Sequence, residues 1–370
     1  MNNHECNVPR LGLDSIMDYS LSNSHENLHG VTIDTIFKKV DTGMDVDQNA
    51  TIDSTHQKVE SDDMDIDNGC DIEMDDAFTS FGTGTCQSLK YNTVVLSGGG
   101  ILGYMHIGFL DYLFEADLLQ LETIVGASVG SLLSFMLCLG MSVSNIKESM
   151  DAMNSQILDI KCITDLVYAF GLDKGEYFGA YLMDIMIRRG IDPRITLLEL
   201  YQKSGINLVI TVTNLSTTKT MFVNHTSHPH LHAVTAVTAS CSIPILVKPV
   251  VIDNEYWIDG GISCNFPLNY CFQQESWNNV IASNITNWKP VVIDSFGNYM
   301  TALLSCLLGY NKNDIVHVQS MDISKNTSFK SLTVVMDNSD VALMDVDCSM
   351  FQRQVLMDFG YTNTERAHCV

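Results

Sequence analysis

The sequence predicts an α/β fold built on a parallel sheet. From residue 91 onward, short apolar runs alternate with longer segments whose apolar residues recur at helical spacing. Glycine-rich turns follow the first two apolar runs directly. Parallel strands produce such an order because the chain must cross back, usually through a helix, before the next strand can pair.

The first part of the chain has a different composition. Residues 1–90 carry 18 acidic and 5 basic side chains, and their apolar residues are too sparse to offset the entropy of ordering. We therefore expect residues 1–88 to form a disordered acidic tail, open to an unknown partner, and residues 89–370 to form one folded domain. Asp63, Asp65 and Asp67 have the spacing that opens a calcium loop, but Met74 stands where the bidentate glutamate belongs, so a solvated tail is favoured.

Charge and cysteine usage exclude several classes of protein. The net charge of −24 argues against nucleic-acid binding and against electrostatic docking on anionic lipid, so any membrane contact should depend on apolar residues. The N-terminus lacks the features of a signal peptide, and no apolar run approaches the length of a membrane span. Eleven cysteines without a C-x-x-C pair favour a reducing compartment. We expect a cytoplasmic protein with peripheral membrane contact, neither secreted nor membrane-spanning.

The spacing of apolar residues, together with glycine and proline residues that interrupt helices and strands, predicts the secondary structure elements. Residues 145–203 predict several helices, broken at Gly171, Gly175, Gly190 and Pro193. The other predicted elements are, in order, strand 93–97, helix 106–119, strand 123–125, helix 131–139, strands 208–213 and 220–223 paired through a turn, helix 231–238, strands 246–252 and 255–258, a strand near 279–283, helix 299–308, a strand around 315–318 and helix 350–359.

Four histidines cluster in one predicted loop. Their spacing fits neither H-x-x-x-H on a helix nor a paired zinc motif, and no carboxylate or cysteine stands among them. A polar loop is therefore favoured, and no metal is expected. The four are His225, His228, His230 and His232.

A G-x-S-x-G pattern marks a candidate nucleophile. Gly126, Ser128 and Gly130 lie between a β-branched run and an apolar helical segment, which is the context of a nucleophile elbow. Small residues let the backbone turn sharply and leave the serine hydroxyl exposed at the tip. The alternative is a glycine-rich turn whose serine only caps the helix.

The loop from Gly98 to Gly103 admits two interpretations. It satisfies G-x-G-x-x-G after a strand, but a dinucleotide site needs an acidic residue at the end of the second strand, and Glu122 precedes that strand. The loop fits an oxyanion hole better, because amides at the carboxyl end of a strand beside the serine strand can face the reacting carbonyl. Gly98, Gly99, Gly100 and Gly103 are the candidate residues, and no cofactor is expected.

A serine nucleophile needs a base. The histidines after Asp259, His317 and His368, lie in an apolar strand and near the chain end, outside any glycine-rich turn. Asp259 precedes Gly260 and Gly261 and follows an apolar run that could raise its pKa. Taken alone, D-G-G would more simply be a turn between strands.

The four motifs together resemble the patatin-like phospholipase family. They are G-G-G-x-x-G, G-x-S-x-G, the segment A-S-C-S-I-P at 239–244 and D-G-G, and the resemblance covers about residues 92–362. It implies a three-layer α/β/α sandwich with a mainly parallel sheet and a Ser-Asp dyad. Ser128 would be the nucleophile, Asp259 the base, and the amides around Gly98, Gly99 and Gly100 the oxyanion hole.

The implied reaction is hydrolysis of fatty acyl esters of phospholipids or neutral lipids through an acyl-enzyme, without a metal, at a membrane or lipid-droplet surface. Many members of the family have Arg or Lys where this sequence has Leu102, which favours less charged esters here. Two alternatives remain at this point. The same dyad could transfer the acyl group to a lipid alcohol, or the fold could serve as a non-catalytic lipid-binding or scaffolding protein.

Overall fold

A computed structural model describes residues 90–153, 164–272, 279–287, 292–294, 296–309, 331–337 and 348–368. Its strands are β1 (Tyr91–Leu96), β2 (Leu119–Ala127), β3 (Gly171–Asp173), β4 (Asn207–Asn214), β5 (Lys219–Val223), β6 (Ile245–Val247), β7 (Val250–Ile252), β8 (Glu255–Asp259), β9 (Val280–Asn287) and β10 (Ser331–Asp337). The predicted tail, the tail aspartates and the predicted strand around 315–318 lie outside the described residues.

The helices complete the element order. They are α1 (Gly103–Glu115), α2 (Val129–Cys138), α3 (Val143–Met153), α4 (Thr164–Ala169), α5 (Glu176–Arg188), α6 (Leu197–Ser204), α7 (Ala233–Ser240), α8 (Gly261–Cys264), α9 (Leu268–Phe272), α10 (Phe296–Gly309) and α11 (Met350–His368). A 3-10 turn, Gly100–Leu102, leads into α1.

The central sheet is mainly parallel, as predicted. Its order is β10-β9-β1-β2-β4-β8-β7, with β5 also paired to β4. The pairs from β10 through β4 are parallel, whereas β5, β8 and β7 join antiparallel. The predicted pairing of the strands at 208–213 and 220–223 is confirmed in the β4–β5 hairpin.

Both faces of the sheet are covered, which gives three layers. One face packs its apolar side chains with α1, α2, α5, α7 and α11 in the main core. The other face carries Val95, Val125 and Val209, which pack against Phe266 and against Leu268 of α9. Strands buried on both sides read as continuous apolar runs, which is why β1 and the second half of β2 show no alternation in sequence.

A smaller apolar cluster lies beside this core. Leu172 of β3, Leu246 of β6 and Met300 and Leu304 of α10 are buried together. β3 and β6 pair with each other in a separate two-stranded sheet. The predicted strand at 246–252 is in fact two strands, since Pro249 interrupts it and has no N–H for a continuous ladder.

Candidate active site

Ser128 occupies a strained turn between β2 and α2. Its φ of 52° and ψ of −123° lie in a region that side-chain-bearing residues rarely adopt. The flanking glycines are required by close approach: a Cβ on Gly126 would strike the backbone of Gly130, and a Cβ on Gly130 would strike the carbonyl oxygen of Leu96. The serine is only 8% exposed.

Ser240, at the end of α7, holds this turn. Its hydroxyl accepts a hydrogen bond from the Ser128 N–H at 3.0 Å and donates to the carbonyl oxygen of Thr211 at 2.6 Å. Because that donation uses its one hydrogen, the Ser131 hydroxyl must be the donor in the 2.9 Å contact between the two hydroxyls. Sequence analysis included Ser240 in the A-S-C-S-I-P motif but gave it no role.

Strand pairing explains why Ser128 meets Asp259. β2 pairs with the first part of β4, ending at Ala127 opposite Thr211, and β8 pairs with the last part, beginning with Asp259 opposite Val212. Since β5 occupies the other edge of β4, β2 and β8 lie end to end along one edge. The residue after Ala127 therefore faces the last residue of β8.

The two side chains form a direct hydrogen bond. The Ser128 hydroxyl donates to Oδ2 of Asp259 at 2.7 Å. The other carboxylate oxygen, Oδ1, accepts the Gly261 N–H at 2.7 Å, and the Asp259 backbone carbonyl accepts the Thr213 hydroxyl at 2.8 Å. Gly260 lies against the Thr211 carbonyl, where a Cβ would not fit. The carboxylate is thereby fixed on both sides.

Burial perturbs the acidity of this carboxyl. Asp259 has no exposed surface. Desolvation raises its pKa to about 7, although the hydrogen bonds from Ser128 and Gly261 act in the opposite direction by stabilising the carboxylate. A carboxylate with this pKa can accept a proton near neutral pH more readily than an exposed aspartate.

The glycine loop lies beside the serine, but only part of it is free to bind an oxyanion. The Gly98 N–H donates to the carbonyl oxygen of Asn265 at 2.9 Å, and the Gly103 N–H is bonded to carbonyl oxygens of the 3-10 turn. This corrects the sequence expectation for Gly98 and Gly103. By contrast, the N–H groups of Gly99 and Gly100 donate no backbone hydrogen bond to another described residue.

The alternatives from sequence can be located too. His317 lies outside the described residues. His368 lies at the amino end of β1, where its Nδ1 is 3.5 Å from the Tyr91 hydroxyl. The glycine loop follows the carboxyl end of β1, and a strand of six residues separates the two ends by roughly 20 Å. Glu122 bonds Asn92 near that same amino end, too far away to bind a ribose beside the glycine loop.

His106, on α1, is a site neighbour that sequence analysis missed. Its Nε2 bonds the Ser97 carbonyl oxygen at 2.9 Å and its Nδ1 bonds the Ser283 hydroxyl at 2.8 Å. Burial lowers its pKa to about 4, so the ring is neutral at physiological pH. Both ring nitrogens are occupied, which makes His106 a support for the end of β1. Its place in a helical apolar pattern gave no signal of this.

The histidine loop, the length of the helices and Leu102 can also be compared with the expectations from sequence, within the described residues. Within the described ranges, no three His, Cys, Asp or Glu side chains converge as metal ligands. The histidine loop instead makes local contacts: His225 stacks on Tyr201 and His228 packs edge-on against Trp257. No described helix is both long enough and apolar enough to cross a bilayer. Leu102 is fully buried in the core.

Comparison with known proteins assigns the class. Residues 94–272 match the family model described as "Patatin-like phospholipase". This segment contains Ser128, Asp259 and the glycine loop. Over these residues the chain is therefore similar to patatin-like phospholipases.

Individual relatives agree with this class. The chain is 28% identical over 212 residues to "Probable lipid hydrolase 463L" of Invertebrate iridescent virus 6, covering 56% of this chain and 72% of the viral protein. It is 24% identical over 322 residues to "Triacylglycerol lipase 4" of Saccharomyces cerevisiae, covering 74% of this chain but only 34% of the yeast protein.

A solved structure shares the fold. VipD from Legionella pneumophila superposes with a TM-score of 0.54 and 17% identity, over 75% of this chain and 66% of VipD. At this level of sequence identity, the similarity supports a shared fold only. It agrees with the helix-flanked, mainly parallel sheet.

Proposed function

We propose that this protein hydrolyses fatty acyl esters of lipids, with Ser128 as nucleophile and Asp259 as general base. The observation that carries the proposal is the 2.7 Å hydrogen bond from the Ser128 hydroxyl to a buried Asp259 carboxylate. A raised pKa suits that carboxylate to proton transfer. The lipid substrate is supported by the names of the relatives, a lipid hydrolase and a triacylglycerol lipase.

In the acylation step, Ser128 Oγ attacks the ester carbonyl carbon while its proton passes to Asp259 Oδ2. The carbonyl oxygen becomes an oxyanion, which the Gly99 and Gly100 amides would stabilise; each such donor is worth about 3 kcal/mol in comparable hydrolases. Collapse of the tetrahedral intermediate breaks the bond to the alcohol oxygen. Asp259 returns the proton to that oxygen, leaving the acyl group on Ser128.

In the deacylation step, water takes the place of the alcohol. Asp259 accepts a proton from the water as the water oxygen attacks the acyl carbon, and Ser128 Oγ leaves with that proton. The fatty acid is released and the hydrogen-bonded pair is restored. One residue thus serves as base and acid in turn, so this mechanism uses no histidine and no metal.

The surroundings of the site favour an uncharged lipid. Leu102 lies in the core and brings no cation to the glycine loop, and the chain as a whole is strongly acidic. An anionic headgroup would be repelled at long range. We therefore propose neutral acylglycerols as the preferred substrates.

Apolar side chains beside the site offer a contact for a lipid surface. α10 packs against α8, the short helix that starts just after Asp259 and Gly260. Tyr299 and Leu307 on α10 are 48% and 40% exposed. We propose peripheral contact with a membrane or lipid-droplet surface through this helix. Free cysteines in the described segments suit a reducing, cytoplasmic setting.

The test is loss of ester turnover in two variants. We expect Ser128→Ala and Asp259→Asn each to reduce kcat on a soluble p-nitrophenyl ester by at least about 1,000-fold, with the fold retained. Asp173→Asn is the matched control, because Asp173 is also buried but lies on β3, outside the dyad. It should keep turnover near that of the wild type.

A fluorophosphonate probe supplies a second measurement. It should label the wild-type protein on the peptide containing Ser128 and leave Ser128→Ala unlabelled. Full activity in Asp259→Asn would refute the dyad. Lipid binding without labelling of the wild type would indicate the scaffold alternative, and acyl transfer to an added lipid alcohol in preference to water would indicate a transferase.

A further inference from the structure

Asn265 forms hydrogen bonds with both backbone polar groups of Gly98 in the glycine loop. Its backbone carbonyl accepts the Gly98 N–H at 2.9 Å, and its side-chain Nδ2 donates to the Gly98 carbonyl oxygen at 3.3 Å. The two residues are 167 positions apart in the chain. Asn265 follows α8, which itself begins two residues after Asp259, so this pair of bonds ties the loop to the segment of the proposed base.

The side-chain bond has a directional consequence for the next amide. In a trans peptide the C=O and the following N–H point in opposite directions. Asn265 Nδ2 and the Ser97 hydroxyl both hold the Gly98 carbonyl oxygen, the latter at 3.1 Å. The Gly99 N–H must therefore point away from Asn265. Gly99 is one of the two loop glycines whose amide is not already bonded to a described backbone group.

Gly98 lies close to both Asn265 and Ser128. A Cβ placed on Gly98 would fall onto Asn265 Oδ1 and come within 3.3 Å of the Ser128 Cβ. The Asn265 side chain is 8% exposed, so its bond to Gly98 is shielded from competing water. On the other side of the same strand end, His106 holds the Ser97 carbonyl oxygen. The peptide groups on both sides of the Gly98 Cα are thus fixed.

From these contacts we infer that Asn265 is a positioning residue. By holding the Gly98 carbonyl oxygen it fixes the orientation of the Gly99 amide, a candidate donor to the oxyanion formed at Ser128. It acts through the loop and does not exchange protons with the substrate. The inference rests on the proposed hydrolase function for its catalytic consequence. The fixing of the loop itself stands on the contacts alone, and the two can be tested separately.

The first test measures the loop directly in the full-length protein. In Asn265→Leu, which keeps the approximate size but loses the donor, hydrogen–deuterium exchange of the peptide spanning residues 97–102 should rise at least about tenfold. Asn224→Leu is the matched control: Asn224 is similarly buried, 7% exposed, and bonds Tyr270 and a local turn. It should leave exchange in 97–102 unchanged. Equal exchange in both variants would overturn the inference.

The second test measures the catalytic consequence. Asn265→Leu should lower kcat on a soluble ester by about 10-fold to 100-fold with little change in KM, while Asn224→Leu should not. It should weaken inhibition by a trifluoromethyl ketone, which forms a tetrahedral oxyanion on serine, by a similar factor. Affinity for a matching ether, which has no electrophilic carbonyl and cannot form an oxyanion, should stay the same. General loosening of the fold would instead weaken the binding of both compounds.

The pH profile separates this role from an effect on the base. If Asn265 acts through the loop, the midpoint of the rise in kcat/KM with pH should be the same in Asn265→Leu and wild type. If Asn265→Leu does not fold, Asn265→Asp, which keeps the size, is measured in its place above pH 8. If the wild type shows neither turnover nor labelling, the proposed function is wrong. If the variant has normal turnover and an unchanged ratio of ketone affinity to ether affinity, only the role of Asn265 is wrong.

Discussion

The burial of Asp259 affects both the stability of the fold and the proposed reaction. A buried carboxyl resists ionisation because no water solvates the charge, and here burial raises its pKa to about 7. The folded state therefore binds a proton more tightly than the unfolded chain. Stability from that proton is complete below the pKa of an unfolded aspartate, about 4, and is lost as pH rises through about 7.

We predict that activity and stability respond to pH in opposite directions. The kcat/KM for a soluble ester should rise as pH increases through about 7, because only ionised Asp259 can accept the serine proton. The free energy of unfolding should show a falling contribution over pH 4–7. In Asp259→Asn this contribution should vanish, making the variant more stable than wild type at pH 8 by about 2–4 kcal/mol, measured by urea unfolding. Activity that does not change between pH 5 and 8 would contradict the prediction.

At this scale the sequence indicated the residue types but not their partners. Ser128 and Asp259 could be named because glycines on both sides of one and after the other restrict the local backbone. Ser240, His106 and Asn265 could not, since they form hydrogen bonds to residues more than 100 positions away in the chain. Nor could spacing show that the Gly98 amide is already bonded to Asn265.

At the scale of elements, the crossing of α1 and α11 depends on two glycines. A Cβ on Gly108 would strike the carbonyl oxygen of Met357, and one on Gly360 would strike that of Met105. The helix backbones therefore approach each other without intervening side chains. Sequence analysis predicted both helices but ended the second at residue 359, short of His368, because beyond it apolar residues no longer recur.

We predict opposite effects for two glycine substitutions in helices. Gly360→Ala should destabilise the protein by about 1–3 kcal/mol, because the helices must separate to admit the methyl group. Gly179→Ala is the matched control within α5, where the nearest atom to the new Cβ is 3.9 Å away. It should stabilise by up to about 1 kcal/mol through helix propensity. Thermal or urea unfolding measures both, and equal signs would contradict this account of the crossing.

Elements that sequence analysis missed are short or lie at the edge of the fold. β3 has three residues and α8 has four, too few for any periodicity to show. The sheet's edge strand β10 also escaped prediction, although its run of apolar residues is a usual strand signal. The parallel centre could be predicted because burial on both faces demands unbroken apolar runs.

For the whole molecule, the division between an acidic tail and a domain remains a proposal. The match to the patatin-like phospholipase family model spans residues 94–272. We predict that removing residues 1–88 leaves the melting temperature within about 2 °C and leaves turnover of a soluble ester unchanged, since β1 begins only at Tyr91. Activity assays and calorimetry on both lengths test this. A large loss of activity would show that the tail contributes to the domain.

The end-to-end meeting of β2 and β8 along β4 also has a consequence during synthesis. The bond between Ser128 and Asp259 spans 131 positions, and the proposed support of the loop extends to Asn265. A growing chain that has not yet released those later residues contains the proposed nucleophile without its proposed base. If the proposed dyad is correct, the nascent chain is inactive, and lipid cleavage begins only when the last of these segments docks.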